Sequence, residues 1–379
     1  MKAIKVKIYP NNNQKVLIEK HFGCNRVIYN FGLELKTKTY AETKKSISNY
    51  TISKEIPKLY EEKPWLKEVN SQSLQQSLID LESAFSHFFK KNNKFPKFKS
   101  KYNDKQSFRV PQHFEIAKDL KAIKIPKLKW VKFRDKFNIP KSIEFRNITI
   151  SRENNEYFAS ICYAENTLKP KLAKIEEKKT LGIDLGIRTL ATFSDGNKID
   201  NPKHFNKYQE KLAFEQRKLS KKTDKKTKSY QKQKEKVGKI HKKIRETRKD
   251  FLHKLTKNII ENQNYTSYVM EDLAVKQLEQ NNSTNMSRAI GDVGWRMLRT
   301  FMEYKCENKG KNLIIIGRFD PSSKTCSNCG NIYQELGREE KSWECKDCGK
   351  EHDRDINAAK NIKNFGIIKS LGKDFSERK

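Results

Sequence analysis

Two Cys-x-x-Cys pairs, Cys326/Cys329 and Cys345/Cys348, constrain this chain more tightly than any other feature. Fifteen residues separate the pairs, a spacing that gathers four thiols around one tetrahedral Zn²⁺ ion. Glycines follow both pairs (Gly330 and Gly349) and let the backbone turn tightly behind the metal. A closed tetrathiolate site has no open position for water, so it is structural. It stabilises a small unit by on the order of 10 kcal/mol. The polar run Glu335–Glu344 is expected to form the hairpin of this ribbon. Cys24, Cys162 and Cys306 are scattered and read as packing residues, and His352 reads as support for the last pair.

The elements around the ribbon follow an order. Leu181–Ile187 and Thr189–Ser194 read as strands, Asp195-Gly196 as a hairpin turn, and Lys198–Asp200 as the start of a third strand. One long helical stretch is predicted from about Lys203 to Asn262, with Val237, Ile240, Ile244, Phe251, Leu255 and Ile259 as its apolar stripe. Tyr265–Met270 reads as a strand, Arg288–Asn308 as an amphipathic helix, Leu313–Gly317 as a buried strand, and about Arg354 to Phe365 as a last helix. Three strands, helix, strand, helix, strand, helix is the order of an RNase H-like fold, by analogy with that architecture. Upstream, residues 2–8 alternate as a strand, and helices are predicted over about Gln14–Thr39 and Ser71–Lys90. Short strands with turn residues between them run from Ser107 to Tyr163. The fold class is therefore α/β plus β.

Three carboxylates fall at the ends of the predicted core strands. Asp184 interrupts the apolar Leu181-Gly-Ile-Asp-Leu-Gly-Ile187, where a carboxylate is costly unless paired or bound to a cation. Glu271 ends Tyr268-Val-Met-Glu271, and Asp355 opens the last helix. Hard oxygen ligands of this kind suit Mg²⁺ or Mn²⁺, and two such ions about 4 Å apart activate water for in-line attack on a phosphodiester. Taken singly, Asp355 also fits a helix N-terminal charge, Glu271 a surface residue, and Asp353 or Asp272 can stand in for a ligand. The sequence holds no phosphate-binding GxxxxGK[ST] loop, no HExxH and no dinucleotide fingerprint.

Charge sets the partner class. The 81 Lys+Arg against 46 Asp+Glu leave a net +35, which self-repulsion makes unfavourable without a polyanion. Residues 203–257 alone carry 21 Lys+Arg against 6 Asp+Glu, Lys221 and Lys222 among them. No secretory or membrane segment is visible, which predicts a cytoplasmic protein with no membrane partner.

With these residues in hand, the chain resembles the TnpB (OrfB) proteins of bacterial insertion sequences, ancestral relatives of the type V CRISPR nucleases. The likeness runs through Lys7-Ile-Tyr-Pro10, Phe22-Gly-Cys-Asn-Arg26 and Tyr29-Asn30. It continues through Phe95-Pro-Lys-Phe-Lys-Ser100, Gln106-Ser-Phe-Arg109, Gly182-Ile-Asp-Leu-Gly186, Ala191-Thr192 and Ser194-Asp-Gly196. It closes on Pro321-Ser-Ser-Lys-Thr-Cys326, the second cysteine pair and His352-Asp-Arg-Asp-Ile-Asn-Ala-Ala359. The resemblance implies an RNA-guided DNA endonuclease with Asp184, Glu271 and Asp355 as catalytic triad and Mg²⁺ or Mn²⁺ ligands. Its partners would be a guide RNA from the end of the element and a target double-stranded DNA beside a short motif.

It further implies a β-barrel wedge domain (1–10 and 107–175), a helical recognition insertion (11–106), a RuvC-like nuclease domain (176–320 and 350–379) and a zinc ribbon (321–349). Gln72 and Gln76, on one helix face, are candidates for reaching base edges. Lys97, Lys99, Arg109, Lys221 and Lys222 are candidates for nucleic-acid contact. An RNA-guided or zinc-ribbon DNA-binding regulator without cleavage, and a strand-transferring transposase, are the competing readings.

Overall fold

The computed structural model describes residues 2–103, 105–117, 119, 121–134, 143–164, 170–318, 320–337 and 340–372. The chain divides into two compact units, one within residues 1–167 and one within 168–379.

In the first unit, strand β1 (Lys2–Tyr9) is followed by helix α1 (Asn12–Thr43), α2 (Asn49–Ser53), α3 (Ile56–Glu62) and α4 (Ser71–Phe89). Strands β2 (Gln106–Val110), β3 (Glu115–Ile116), β4 (Ala122–Ile125), β5 (Lys129–Arg134), β6 (Glu144–Glu153) and β7 (Glu156–Ala164) complete it. Asn11 starts α1 with a reciprocal cap: its side chain accepts from the Gln14 amide (2.9 Å), and the Gln14 side chain accepts from the Asn11 amide (3.0 Å). All seven strands join in the order β2-β6-β7-β1-β5-β4-β3, with β2 and β3 at the two ends. Alternating residues bury one face. Val6, Ile8, Val110, Ile123, Val131, Ile148 and Ile161 share a core with Ile18 and Phe22 of α1. A separate core, Ile28, Ile52, Leu59, Leu66, Leu74 and Leu78, joins the helices. The short helices α2 and α3 lie in a stretch where no helix was predicted.

The second unit is built on β8 (Thr180–Leu185), β9 (Thr189–Phe193) and β10 (Lys198–Asp200), then α5 (Asn206–Ser220), α6 (Lys228–Glu261) and β11 (Ser267–Glu271). It continues with α7 (Val275–Gln280), α8 (Thr284–Val293), α9 (Trp295–Lys309) and β12 (Asn312–Ile316). Strands β13 (Ser342–Glu344) and β14 (Glu351–Asp353) and helix α10 (Arg354–Ser370) follow. The sheet order is β10-β9-β8-β11-β12; β8, β11 and β12 are mutually parallel, β9 is antiparallel to β8, and β10 is antiparallel to β9. Tyr268 and Met270 face one layer, with Leu252, Leu255, Leu298 and Met302. Val269 faces the other, with Ile362 and Phe365 of α10. Helices thus cover both faces of a mixed sheet.

Two predicted helices are broken. The stretch 203–262 divides into α5 and α6 because Asp224 and Thr227 take backbone amides for themselves. Asp224 Oδ1 accepts from Lys226 (2.8 Å), and Thr227 Oγ1 from Tyr230 (3.2 Å) as the N-cap of α6. The stretch 288–308 divides at Gly294, whose φ of 74° ends α8 before α9 begins. β12 is half-buried rather than buried throughout, with Ile316 alone among its five residues fully enclosed. α10 runs five residues past Phe365. Ribbon pairing extends beyond residue 349, since β14 pairs with β13 through Asp353.

Candidate metal centres

The side-chain alternation of a strand decides where the carboxylates point. Gly182 faces α10, so Asp184 two residues on does too; Val269 faces α10, and so does Glu271. The strands are in register at Ile183 and Met270, which puts Asp184 and Glu271 at neighbouring ends of β8 and β11. α10 brings the third group. A Cβ on Gly182 would lie 2.0 Å from the Ala359 carbonyl, and one on Gly366 would lie 2.4 Å from Val269. These two hydrogens let the helix sit directly on the sheet, with Asp355 one turn before Ala359.

The charges of Glu271 and Asp355 both reach Asp184. Asp184 is raised from 3.8 to about 8 by its burial first, then by the charges of Glu271 and Asp355; the Leu185 amide and Arg354 oppose this. Glu271 is raised by burial, against a hydrogen bond from the Ser322 hydroxyl, with Asp320 adding repulsion. The neighbouring acids are occupied. Asp353 caps α10 by accepting from the Asp355 and Ile356 amides and pairs with Lys198 at 2.8 Å. Asp272 is held by Arg299 (2.7 Å) and Arg318 (3.2 Å). Three half-buried carboxylates, two of whose charges raise the pKa of the third, fit a divalent cation by their donor chemistry, although their oxygens do not gather as closely as the four thiols described next. A cleft of about 550 Å³ opens at Glu271, lined also by Leu185, Trp295, Arg296, Arg299 and Arg318; Asp184 and Asp355 do not line it.

The second centre is compact. Among the described residues, Cys326, Cys329, Cys345 and Cys348 are the acid, thiol or imidazole group whose ligand atoms all lie within 4.8 Å of one another. Cys326 and Cys348 Sγ are 3.7 Å apart and Cys329 and Cys345 Sγ 3.6 Å, far beyond disulfide length. Tetrahedral Zn–S bonds of about 2.3 Å require an S···S edge of about 3.8 Å, so the four thiols fit the ion. Each pair wraps back on itself: the Gly330 amide donates to the Cys326 carbonyl (2.9 Å) and that of Gly349 to Cys345 (2.8 Å). Trp343, Leu336 and Tyr333 pack over the thiols, and His352 Nε2 lies 3.1 Å from Cys326 Sγ.

The candidate nucleic-acid residues separate into two groups. In the first unit, Gln72 and Gln76 are half-buried on α4, and the Gln72 Oε1 has no partner among the described residues. Arg109 of β2 pairs with Asp80 of α4 at 3.2 Å. Lys99 lies 3.8 Å from the Tyr29 ring centroid, and its pKa is lowered by burial although Asp80 raises it. Lys97 is exposed in the same segment. Phe98 and Tyr102 flank these lysines at 61% and 72% exposure; sequence reading passed over them because exposure is invisible in an aromatic's identity. In the second unit, Lys221 and Lys222 lie at the α5–α6 turn, Lys222 donating to Ser229 Oγ (2.7 Å). Ser322, Asn357 and Asn361 were also missed, since their contacts join residues 30 to 51 positions apart in the chain.

Fold and sites define a mixed α/β protein with a four-cysteine ribbon inserted before its last helix, beside a carboxylate cluster. Family models match it piecewise: one for OrfB proteins described as "Probable transposase" at residues 160–282, "Cas12f1-like, TNB domain" at 295–362, and "Helix-turn-helix domain" at 1–45. Within 1–45 the described structure is one strand and one helix. A Streptomyces pristinaespiralis protein named "Putative RNA-guided DNA endonuclease" is 36% identical, over 97% of this chain and 90% of its own length. The Escherichia coli (strain K12) "Putative RNA-guided DNA endonuclease InsQ" is 30% identical, over 96% and 91%. The solved structure "Cryo-EM structure of the Cas12f1-sgRNA-target DNA complex" aligns with 96% of this chain and 98% of its own at 18% identity. Its TM-score of 0.36 is too low to argue from. The chain belongs to the TnpB (OrfB) family.

Proposed function

We propose that the chain is an RNA-guided, metal-dependent DNA endonuclease, with Asp184, Glu271 and Asp355 as the catalytic carboxylates of a RuvC-like domain. The observation that carries this is the convergence of Glu271 and Asp355 on the buried Asp184, whose carboxyl pKa their charges raise, in a protein whose whole-chain relatives bear endonuclease names. Divalent cations held by these acids supply activation of a water and charge neutralisation at the leaving 3′-oxygen.

The chain's own residues do the rest. The carboxylates of β8, β11 and α10 fix the ligand geometry on regular elements rather than loops. Arg296, Arg299 and Arg318 line the adjoining cleft and present guanidinium donors to the phosphates of the cut strand. Cys326, Cys329, Cys345 and Cys348 hold structural Zn²⁺. In the first unit, the sheet serves as wedge domain and the helices of residues 11–106 as recognition insertion. Base pairing with the guide reads the target, while basic side chains grip backbones. Gln72 and Gln76 face base edges near the adjacent motif. Lys97, Lys99 and Arg109, with Phe98 and Tyr102 as stacking faces, contact nucleic acid, as do Lys221 and Lys222.

The test is purification with the native flanking RNA co-expressed. A plasmid carrying the guide-matched target beside a randomised region is then offered in Mg²⁺, with Asp184→Ala as control. Cleavage requiring guide, Mg²⁺ and Asp184 supports the proposal and reveals the motif. RNA-directed binding without cutting identifies a regulator, and a preparation free of RNA sinks the guided reading.

A further inference from the structure

We infer that Ser322 is a positioning residue for Glu271, and that Asn357 and Asn361 secure it by mooring the first cysteine loop to α10. This rests on the carboxylate reading above.

The Ser322 hydroxyl donates to Glu271 Oε1, and Ser322 is 6% exposed. Asn361 Nδ2 donates to the Ser322 carbonyl at 2.8 Å and to the Thr325 carbonyl at 2.6 Å. Asn357 Nδ2 donates to the same Thr325 carbonyl at 2.7 Å, while its Oδ1 accepts from the Ser327 amide at 2.9 Å. Asn357 and Asn361 are 1% and 2% exposed. Two buried amides one helical turn apart are costly unless bonded, and these are spent on a single seven-residue loop, 321–327. That loop contains Cys326, so the thiol cluster and Ser322 are carried by the same short segment.

The geometry goes beyond sealing a loop to a helix. α10 holds Ser322 through Asn361 and carries Asp355 two residues before Asn357. One rigid element therefore fixes both Asp355 and the hydroxyl that orients Glu271. With Oε1 engaged by a hydroxyl donor, the carboxylate is kept from rotating, and Oε2 would be the oxygen left to ligate a cation. Groups that orient a ligand in this way govern metal affinity by about 10–100-fold.

The test measures Mn²⁺ binding by electron paramagnetic resonance on the full chain, zinc-loaded and without nucleic acid, alongside zinc content and melting. Asp184→Ala abolishes the Mn²⁺ signal and establishes the carboxylate site. Ser322→Ala weakens Mn²⁺ binding about tenfold or more with zinc content unchanged, and Ser322→Thr, which keeps the hydroxyl, restores it. Asn361→Ala, which leaves Ser322 present but unmoored, weakens it in the same direction. Wild-type affinity in Ser322→Ala, or equal affinities for the Ala and Thr variants, overturns the inference while the carboxylate reading stands. Weakening that tracks zinc loss marks a purely structural role and also overturns it. A wild-type chain that binds no Mn²⁺ overturns both.

Discussion

Near neutral pH and without a cation, Asp184 keeps a proton that a solvated aspartate would have lost, because burial, Glu271 and Asp355 raise it to about 8. The folded state therefore binds more protons than the unfolded chain between about pH 4 and 8. Stability from this group is full below that window and is lost as pH rises through it. Asp184→Asn cannot ionise, so in Mg²⁺-free buffer its melting temperature should exceed wild type by a few degrees at pH 8.5, with the gap closing at pH 5. The same variant should cut DNA roughly a thousandfold more slowly, because the cation ligand is gone. Calorimetry at the two pH values checks the first half, and a plasmid assay the second. His21 works with the opposite sign. It is fully buried, its Nδ1 lies 2.7 Å from the Leu17 carbonyl, and its Nε2 takes the Asn70 amide at 3.1 Å, an arrangement that needs neutral imidazole. Burial lowers it from 6.5 to about 4, so stability is full above 6.5 and falls as pH drops toward 4, by roughly 3 kcal/mol. Urea midpoints across that range should fall more steeply in wild type than in His21→Gln.

Among the elements, α10 matters most, because its seat on β8 sets the spacing of the carboxylates. Gly182→Ala places a methyl 2.0 Å from the Ala359 carbonyl, so the helix must shift. The expected cost is about 1–3 kcal/mol of stability, with cleavage down by roughly a hundredfold for a displacement near 1 Å. Zinc content should stay constant, which separates this outcome from ribbon damage. A variant that melts and cuts like wild type would show that α10 can move without disturbing Asp355. The carboxylate strands and the thiol cluster were legible in sequence because each is local: an acid inside an apolar run, and thiols at fixed spacing. The ribbon's hairpin was not, since it pairs Ser342–Glu344 with Glu351–Asp353 around the second cysteine pair instead of lying within Glu335–Glu344. The α5–α6 and α8–α9 breaks were not legible either: residues 220–229 are polar throughout and read as a solvated helix, while apolar positions continue across Gly294 from Ile290 and Val293 to Trp295 and Leu298. Ser322 escaped for a different reason. Its identity is ordinary, and only the fold brings it to Glu271.

At the scale of the whole molecule, the net charge of +35 favours a polyanionic partner, and the α5–α6 hairpin concentrates it. The buried residues Leu212, Val237, Ile240 and Ile244 zip these two helices together, so their lysines are carried on a stiff arm rather than a loose tail. No helix among the described residues is long and apolar enough to cross a membrane. If Lys221 and Lys222 meet phosphates, each releases counterions on binding, and the slope of log K against log salt carries about −0.7 per contact for single-stranded RNA. Replacing both by alanine should reduce that slope by about 1.4 and weaken binding equally for guides of unrelated sequence. Filter binding of the guide RNA from 50 to 300 mM KCl measures this. An unchanged slope would assign these lysines to solvent and move the electrostatic contact elsewhere. A loss confined to one guide sequence would instead make the hairpin a reader of bases, which point charges on a helical turn are poorly built to be.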